Sequence, residues 1–296
     1  VNKLSRRPLC EVRLSESQGI DRMPPGDVTG AAQVAPMIPD QRRESILRQL
    51  RQHGVLSVHQ LMEMFGCSHM TVRRDISVLE REGHAYSVPG GVRIASQLSA
   101  EPSHQLKSMV EPAEKQGIAR CAAEMLQTGM TVYLDAGTTT LSIVPHLAKL
   151  ENMTVITNDF PIVEALVESP HVKVIHVGGV LDHSNRSSVG PLAAATLLHL
   201  YSDIAFISSS SWDLQRGLTT PAALKVEVKR AAMHSASRTA LVTTSSKYGT
   251  FGTYKISPLE DFDLVITDSA LPDAVAARLR DANVGLVLAD PVENLG

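Results

Sequence analysis

Between positions 40 and 80 the apolar residues recur with the period of helices that each bury one side. Ile46, Leu47 and Leu50 share a stripe among arginines and glutamines, and His53-Gly54 supplies a stop, so residues 40–52 are expected to form a first helix. Ser57-Val58-His59-Gln60 has the S-x-x-Q spacing of a capping box. Leu61, Met62 and Phe65 continue at helical spacing until Gly66, which predicts a second, short helix. A third is expected from the N-cap Ser68 to Glu80, with Val72, Ile76 and Leu79 at i, i+4 and i+7 on its buried seam. Its first two turns carry Ser68, His69, Thr71, Arg73 and Arg74, side chains able to hydrogen-bond phosphates and base edges.

An isolated Arg-Arg pair on a helix is more often a solvated face than a binding surface. Here it belongs to two helices joined by a tight turn at Gly66-Cys67, the helix-turn-helix pattern whose second helix enters the DNA major groove. His84 to Ile94 then alternate about Pro89-Gly90-Gly91, which predicts a β-hairpin, the wing of a winged helix. These neighbours favour the DNA reading over the solvated face.

Residues 96–111 are polar, contain Pro102 and are expected to be a linker. Pro112 suits the first turn of a helix in which Ile118, Ala122 and Met125 form the apolar stripe. Short β-branched runs then alternate with helical segments, at 131–134, 154–157, 172–177, 204–208, 239–242, 264–267 and 284–288. That alternation predicts a mostly parallel sheet with helices on its faces.

Small, hydroxyl and ionic residues follow these runs: Asp135-Ala136-Gly137-Thr138-Thr139-Thr140, then Asn158-Asp159, Gly178-Gly179, Ser208 to Ser211, and Ser245-Ser246-Lys247. In open parallel sheets ligands bind at that edge. The Gly137 to Thr140 loop is expected to lead straight into one helix bearing Leu141, Val144 and Leu147, an arrangement that suits a phosphate or simply caps the helix. Gly178-Gly179 admits a ligand close to the backbone or makes a turn, and Lys247 is a counter-cation or a solvated lysine.

Composition narrows the function classes. With 43% hydrophobic and 20% charged residues in 296, the chain is that of a globular protein of about two domains, and no run approaches a membrane span. Cys10, Cys67 and Cys121 are too far apart in sequence to make a CxxC pair, so a reducing cytoplasm is expected, with no metal and no cofactor. His176, His183 and His199 have no metal-ligand spacing, and no GxSxG, HExxH or Walker sequence occurs. Residues 37–95 carry 8 Lys+Arg against 6 Asp+Glu, while residues 96–296 carry 15 against 21, so the front is mildly basic and the back acidic.

The run from Ile46 through Gly91, above all Thr71-Val72-Arg73-Arg74-Asp75-Ile76, Leu79-Glu80 and Gly90-Gly91, resembles the N-terminal domain of the DeoR/GlpR family of bacterial transcriptional regulators. Glu114-Lys115, Leu134 to Thr139, Val155 to Asn158, Gly178-Gly179, Val189-Gly190-Pro191, Gly217-Leu218-Thr219, Val228-Lys229-Arg230, Ser245-Ser246-Lys247 and Ile266-Thr267-Asp268 resemble its sensor domain, which is similar to the ribose-5-phosphate isomerase type of α/β fold. The likeness covers roughly residues 38–290. It implies that Ser68, His69, Thr71, Arg73 and Arg74 touch operator DNA, with Arg93 on the wing. It also implies that a phosphorylated metabolite binds at Asp135, Gly137, Thr138, Thr139, Thr140, Asn158, Asp159, Gly178, Gly179, Lys225 and Lys247. Where the family has a glycine, an acidic residue and an aspartate, this chain has Ser210 to Asp213, Lys225 and Thr244. Those exchanges point to an effector with an extra acidic group, such as a phosphorylated sugar acid.

The expected protein is therefore a cytoplasmic repressor of a carbohydrate or sugar-acid catabolic operon, without a membrane segment and acting as a homo-oligomer, dimer or tetramer, on double-stranded operator DNA. A sugar-phosphate isomerase-like enzyme is the alternative. Its domains are expected at 37–95 (winged helix-turn-helix), 96–111 (linker) and 112–296 (an α/β effector-sensing domain). Residues 1–36, rich in Arg, Ser, Gly and Pro, are expected to be disordered, an upstream extension outside a native protein that starts at Met37. The intact mass of the native protein checks this, and a mass that includes Val1 or Asn2 overturns it.

Overall fold

A computed structural model describes residues 37–292, so the expectation of disorder for 1–36 falls outside the described residues. The front of the described chain is a winged helix. Helices α1 (Pro39–His53), α2 (Val58–Phe65) and α3 (His69–Arg81) pack on a three-stranded sheet of β1 (Val55–Ser57), β2 (Ala85–Val88) and β3 (Gly91–Ile94) in the order β1-β3-β2. Ser57 and Gln60 form the reciprocal capping box, and the Ser68 hydroxyl accepts from the Thr71 N–H to start α3. Strand β1 carries too short an apolar run to show in the sequence; it exists because β3 pairs with it through Leu56↔Val92. Ile46, Leu50, Leu61, Val72, Ile76 and Leu79 meet in one buried cluster. Asp75, buried on the inner side of α3, is ion-paired with Arg42, with Arg43 at 3.7 Å, and so ties α1 to α3.

The expected linker joins the two domains, but it is ordered. Strand β4 (Ser96–Gln97) pairs with a later strand, and α4 (His104–Met109) starts at Ser103, whose hydroxyl accepts from the Leu106 N–H. The chain continues through α5 (Pro112–Ala123), β5 (Thr131–Leu134), α6 (Thr138–Leu141), α7 (Val144–Leu147), β6 (Thr154–Thr157), α8 (Phe160–Leu166) and β7 (Lys173–His176). There follow β8 (Val180–Asp182), β9 (Ser187–Val189), α9 (Pro191–Leu197), β10 (Ile204–Ser208), β11 (Ser211–Asp213), β12 (Gly217–Thr220) and α10 (Leu224–His234). The last elements are β13 (Thr239–Val242), β14 (Thr250–Phe251), β15 (Tyr254–Ser257), β16 (Leu264–Asp268), α11 (Asp273–Asp281) and β17 (Leu286–Ala289). The single helix expected after Gly137 to Thr140 is two short ones, α6 and α7, with Pro145 inside the first turn of the second.

All seven β-branched runs become strands of one parallel sheet, in the order β17-β16-β13-β10-β5-β6-β7. Alternate residues serve opposite faces. Tyr133, Ile156, Ala205, Ile207 and Leu241 pack under α9, α10 and α11, while Val132, Leu134, Val155, Phe206 and Val242 pack under α5, α7 and α8. The first strand of the set, β5, lies in the interior; the chain builds outward to β7 and then returns to β10 on its other side. The gap between the carboxyl ends of β5 and β10 is thus the topological switch point, where a ligand finds a crevice between diverging loops.

The wing is docked on this α/β domain. Tyr86 of β2 meets Tyr248 edge-on with ring centroids 6.1 Å apart, and Tyr248 meets Trp212 of β11 at 4.9 Å. Gly249 is a glycine because a Cβ there would overlap the Tyr86 ring. Arg216 donates to the Gly83 carbonyl at 2.8 Å and stacks 4.2 Å over Phe251, and Arg278 of α11 reaches the buried Glu80 of α3 at 3.3 Å. The strand β4 that follows the wing pairs in parallel with β14.

Phe206, fully buried on the central strand β10, lies in the core cluster with Leu134, Val155 and Val242, so its removal leaves a cavity. Phe206→Ala is expected to cost about 3–5 kcal/mol, measured as a lower urea midpoint of unfolding.

Candidate functional site

At the switch point Asp135, just past β5, is fixed on all sides. Its Oδ2 accepts from the Ser208 N–H at 2.9 Å and the Ser208 hydroxyl at 2.8 Å, and it is ion-paired with Lys229 of α10. Lys229 also donates to the Ser208 carbonyl at 2.8 Å. Gly137 is required at the bottom of this crevice because a Cβ there would stand 2.8 Å from that of Ser208.

The loops on either side use most of their polar groups on each other. Asn158 Oδ1 accepts from the Tyr133 hydroxyl and the Ala136 N–H, both at 3.0 Å, and its Nδ2 donates to the Ser188 carbonyl at 2.9 Å. Thr140 Oγ1 lies 2.6 Å from the Asp135 carbonyl and 2.7 Å from that of Gly137, so this threonine fastens the loop. Thr138 and Thr139 are buried, and Thr138 lines a separate groove with Lys115 and Ser142. Gly178 and Gly179 have φ of +66° and +124°, and a Cβ on Gly179 would press on the Val189 carbonyl and Ala193. Of the two readings for that pair, the tight turn has a visible cause.

Asp159 is different. It is fully buried, its Oδ2 accepts from the Gly137 N–H at 2.8 Å, and its Oδ1 has no hydrogen-bond partner among the described residues. Burial pushes its pKa up to about 7, with the neighbouring Asp135 adding to the effect and the N–H groups of Gly137 and Ile162 working against it. Ser187 Oγ and Ser209 Oγ are also buried without partners. Ser187 shares a small crevice with Asp135, Asn158, Lys225 and Lys229.

Cations converge on this edge from four directions. Lys225 and Lys229 come from α10, Lys247 from a 3-10 turn after β13, Lys107 from α4 and Lys115 from α5. Lys225 is ion-paired with Glu101 and lies 3.8 Å from Asp182, and Lys107 pairs with the same Glu101 at 2.6 Å. Among the described residues Lys115 and Lys247 form no ion pair: Lys115 donates to the carbonyls of Lys107 and Val110, and Lys247 to that of Ser209 at 2.7 Å. Burial, together with the charges of Lys107 and Lys115, lowers the Lys247 pKa to about 8. Burial lowers Lys107 and Lys115 as well. Lys107, Lys225 and Lys229 are thus answered by Glu101, Asp182 and Asp135, while the charges of Lys115 and Lys247 meet no ion-pair partner among the described residues. Lys107 and Glu101 carry no sequence signal, because they sit in the stretch expected to be a linker; Lys115 and Lys229 were visible only as parts of the matching runs Glu114-Lys115 and Val228-Lys229-Arg230.

On α3, Ser68, His69, Arg73 and Arg74 are exposed and Thr71 is half-buried, its hydroxyl 3.0 Å from that of the cap Ser68. Neither Arg73 nor Arg74 forms an ion pair among the described residues. Met70, 70% exposed on the same helix, had no polar signal to mark it. Arg73 and Ser77 line a groove of about 490 Å³ against the loop Ser269 to Ala274 of the α/β domain. Arg93 stands across from Tyr86 in the hairpin register, near the docked face and away from the Val88 to Gly91 tip.

Comparison with known proteins agrees with this two-part architecture. Residues 42–98 match the model of the DeoR-like helix-turn-helix domain, and residues 110–269 that of the DeoR C terminal sensor domain. An uncharacterized HTH-type transcriptional regulator of Haemophilus influenzae is 45% identical over 252 residues, 85% of this chain and 98% of that protein. The transcriptional repressor AccR of Agrobacterium fabrum is 33% identical over 229 residues, 77% of this chain and 89% of that one. Among solved structures, ribose 5-phosphate isomerase A of Methanocaldococcus jannaschii aligns over 45% of this chain and 53% of its own, at 15% identity and a TM-score of 0.34.

The Asp159 carboxyl sets a pH dependence. Its folded pKa of about 7 lies above the ordinary value, so between about pH 4 and pH 7 the folded state holds more protons and stability falls as pH rises. Asp159→Asn, which keeps an acceptor for Gly137, is expected to be more stable than the wild type at pH 8, with the gap closing toward pH 4 in urea unfolding.

Proposed function

Since this chain belongs to the DeoR family of transcriptional regulators, we propose that it represses a carbohydrate or sugar-acid catabolic operon and that a phosphorylated sugar or sugar acid controls its hold on the operator. The chain is a regulator and not an isomerase-like enzyme: both of its domains match regulator families, and the relatives named above are transcriptional regulators over nearly their whole length. The observation that carries the effector reading is the gathering of five lysines at this edge of the sheet: Lys225 and Lys229 line the switch-point crevice, Lys107, Lys115 and Lys247 lie near enough for their charges to interact, and Lys115 and Lys247 form no ion pair among the described residues. A phosphoryl group answers Lys115 and Lys247; hydroxyls of a sugar answer Asp159 Oδ1 and Ser187 Oγ. The repressor sign is supported by the likeness to AccR.

In this reading Ser68, His69, Thr71, Arg73 and Arg74 bind operator DNA in the major groove, and Arg93 supplies a phosphate contact. The effector acts through the segment after β13, because Lys247 adjoins Tyr248, which packs on Tyr86 of the wing. A ligand that moves Lys247 thereby shifts the wing, and does so only to the extent that it binds one arrangement better than the other. The protein works in the cytoplasm as a homo-oligomer, dimer or tetramer, since paired half-sites raise affinity beyond one winged helix. The exposed Val180, Leu192 and Leu224 around Gly190-Pro191 support such an assembly.

Mapping genomic binding sites and footprinting the strongest one tests both halves. Arg73→Ala with Arg74→Ala is expected to lower operator affinity at least tenfold, each lost contact being worth about 1–3 kcal/mol. Lys247→Met is expected to keep operator binding and lose the response to phosphorylated metabolites. A protein that binds no DNA near its own gene, with or without such metabolites, contradicts the proposal.

A further inference from the structure

The segment 98–111 is held to the α/β domain in an unusual way for an ordered stretch. Of its larger apolar side chains Leu98 is half-buried, while Leu106, Met109 and Val110 are 58%, 65% and 54% exposed. Hydrophobic burial therefore contributes little, and the anchors are polar. The Leu98 N–H donates to the Phe251 carbonyl at 2.8 Å and the His104 N–H to that of Ser184 at 2.9 Å, while Lys107 also donates to Asn185. Lys115 of α5 also donates to the Lys107 and Val110 carbonyls. The side chain of Glu101, 9% exposed, bridges Lys107 and Lys225. Lys107 lies on the segment itself, so the Glu101 ion pair that crosses to the α/β domain is the one to Lys225 of α10. Burial opposes ionisation of Glu101, but Lys225 and Lys107 outweigh it and hold the pKa down at about 2.

We propose that Glu101 is an internal stand-in for the carboxylate of an acidic effector, and that such an effector displaces the strap 98–111 by taking Lys225 and Lys107 from it. The inference rests on the reading of the crevice as the site of a phosphorylated sugar acid, and it assigns the two acidic ends of that ligand. The carboxylate takes the lysines that Glu101 now bridges; the phosphoryl group takes Lys115 and Lys247, which no carboxylate answers. Lys225 presents its charge to a ligand only when Glu101 has left, so an acid binds by exchange of one carboxylate for another. A strap fastened by ion pairs rather than by apolar burial can be exchanged in this way without exposing a core. Its release reaches the DNA-binding end through chain continuity, because the strap directly follows β4, which itself follows the wing and pairs with β14 a few residues beyond Lys247.

The test uses the full chain, with Glu101→Gln and, as a milder variant that keeps the charge on a shorter arm, Glu101→Asp. Hydrogen exchange without any ligand is expected to quicken at least tenfold across residues 98–111 in Glu101→Gln, less in Glu101→Asp, and not at all in the seven-stranded sheet. Titration then compares the phosphorylated aldonic acids of four, five and six carbons with the matched alditol phosphates, which lack the carboxylate. Glu101→Gln is expected to bind the best acid at least tenfold more tightly than the wild type and the alditol phosphates within twofold of it. Unchanged exchange in 98–111, or acids that bind the variant no better, overturns the stand-in role. If alditol phosphates bind while the acids gain nothing, the reading of the crevice survives and the stand-in alone falls; if neither series binds either protein, both fall.

Discussion

Everything at the functional edge depends on how Asp135 is held. A buried carboxylate is costly unless its charge and lone pairs are answered, and here Lys229, the Ser208 N–H and the Ser208 hydroxyl answer it together. That knot joins the ends of β5 and β10, the two strands between which the chain reverses its direction of growth. It also explains residues nearby: Gly137 has to lie against Ser208, and Asn158 uses both lone pairs of Oδ1 and one amide N–H to hold the loop in register. Lys229 is committed to this knot. The remaining lysines are therefore the ones whose charge is available to a ligand, or to a surrogate for one.

The same edge lies one residue from the interface between the domains. Tyr248 follows Lys247 and is sandwiched between Trp212 and the wing's Tyr86, while Gly249 admits the Tyr86 ring only because it lacks a side chain. Arg216 and Arg278 add polar fastenings at Gly83 and Glu80, on either side of the turn that ends α3. Close packing of aromatic rings tolerates few intermediate positions. A displacement of the Lys247 turn is thus passed to the wing or absorbed by breaking the contact, and either outcome alters how α3 is presented.

The sequence made the architecture readable where periodicity is strong and unbroken. All three helices of the winged helix and all seven parallel strands followed from apolar spacing, and the caps at Ser57 and Ser68 from local chemistry. Strand β1 was invisible because three residues carry no period and its pairing is a long-range event. The strand ends pointed to this edge of the sheet, but not to which side chains there are free: Thr140, Asn158 and Gly179 turn out to have structural reasons of their own, whereas Lys107 and Glu101 came from a polar stretch that resembles a linker. Composition could not separate a solvated charge from one with a partner more than a hundred residues away, as Glu101 has in Lys225. The reading of Lys225 as an excess positive charge missed this partner for the same reason.

An internal carboxylate has consequences for sensitivity. A tethered group competes at an effective concentration on the order of millimolar, and a site open only part of the time binds with its intrinsic affinity reduced by the open fraction. A free acid must therefore reach a threshold before it replaces Glu101, and an acid lacking the phosphoryl group has no hold on Lys115 and Lys247 with which to do so. A sugar phosphate without a carboxylate gains the phosphoryl contacts but leaves the strap closed. Only a ligand with both groups draws enough from the site to open it, so discrimination and switching would arise from a single exchange of ion pairs at Lys225 and Lys107.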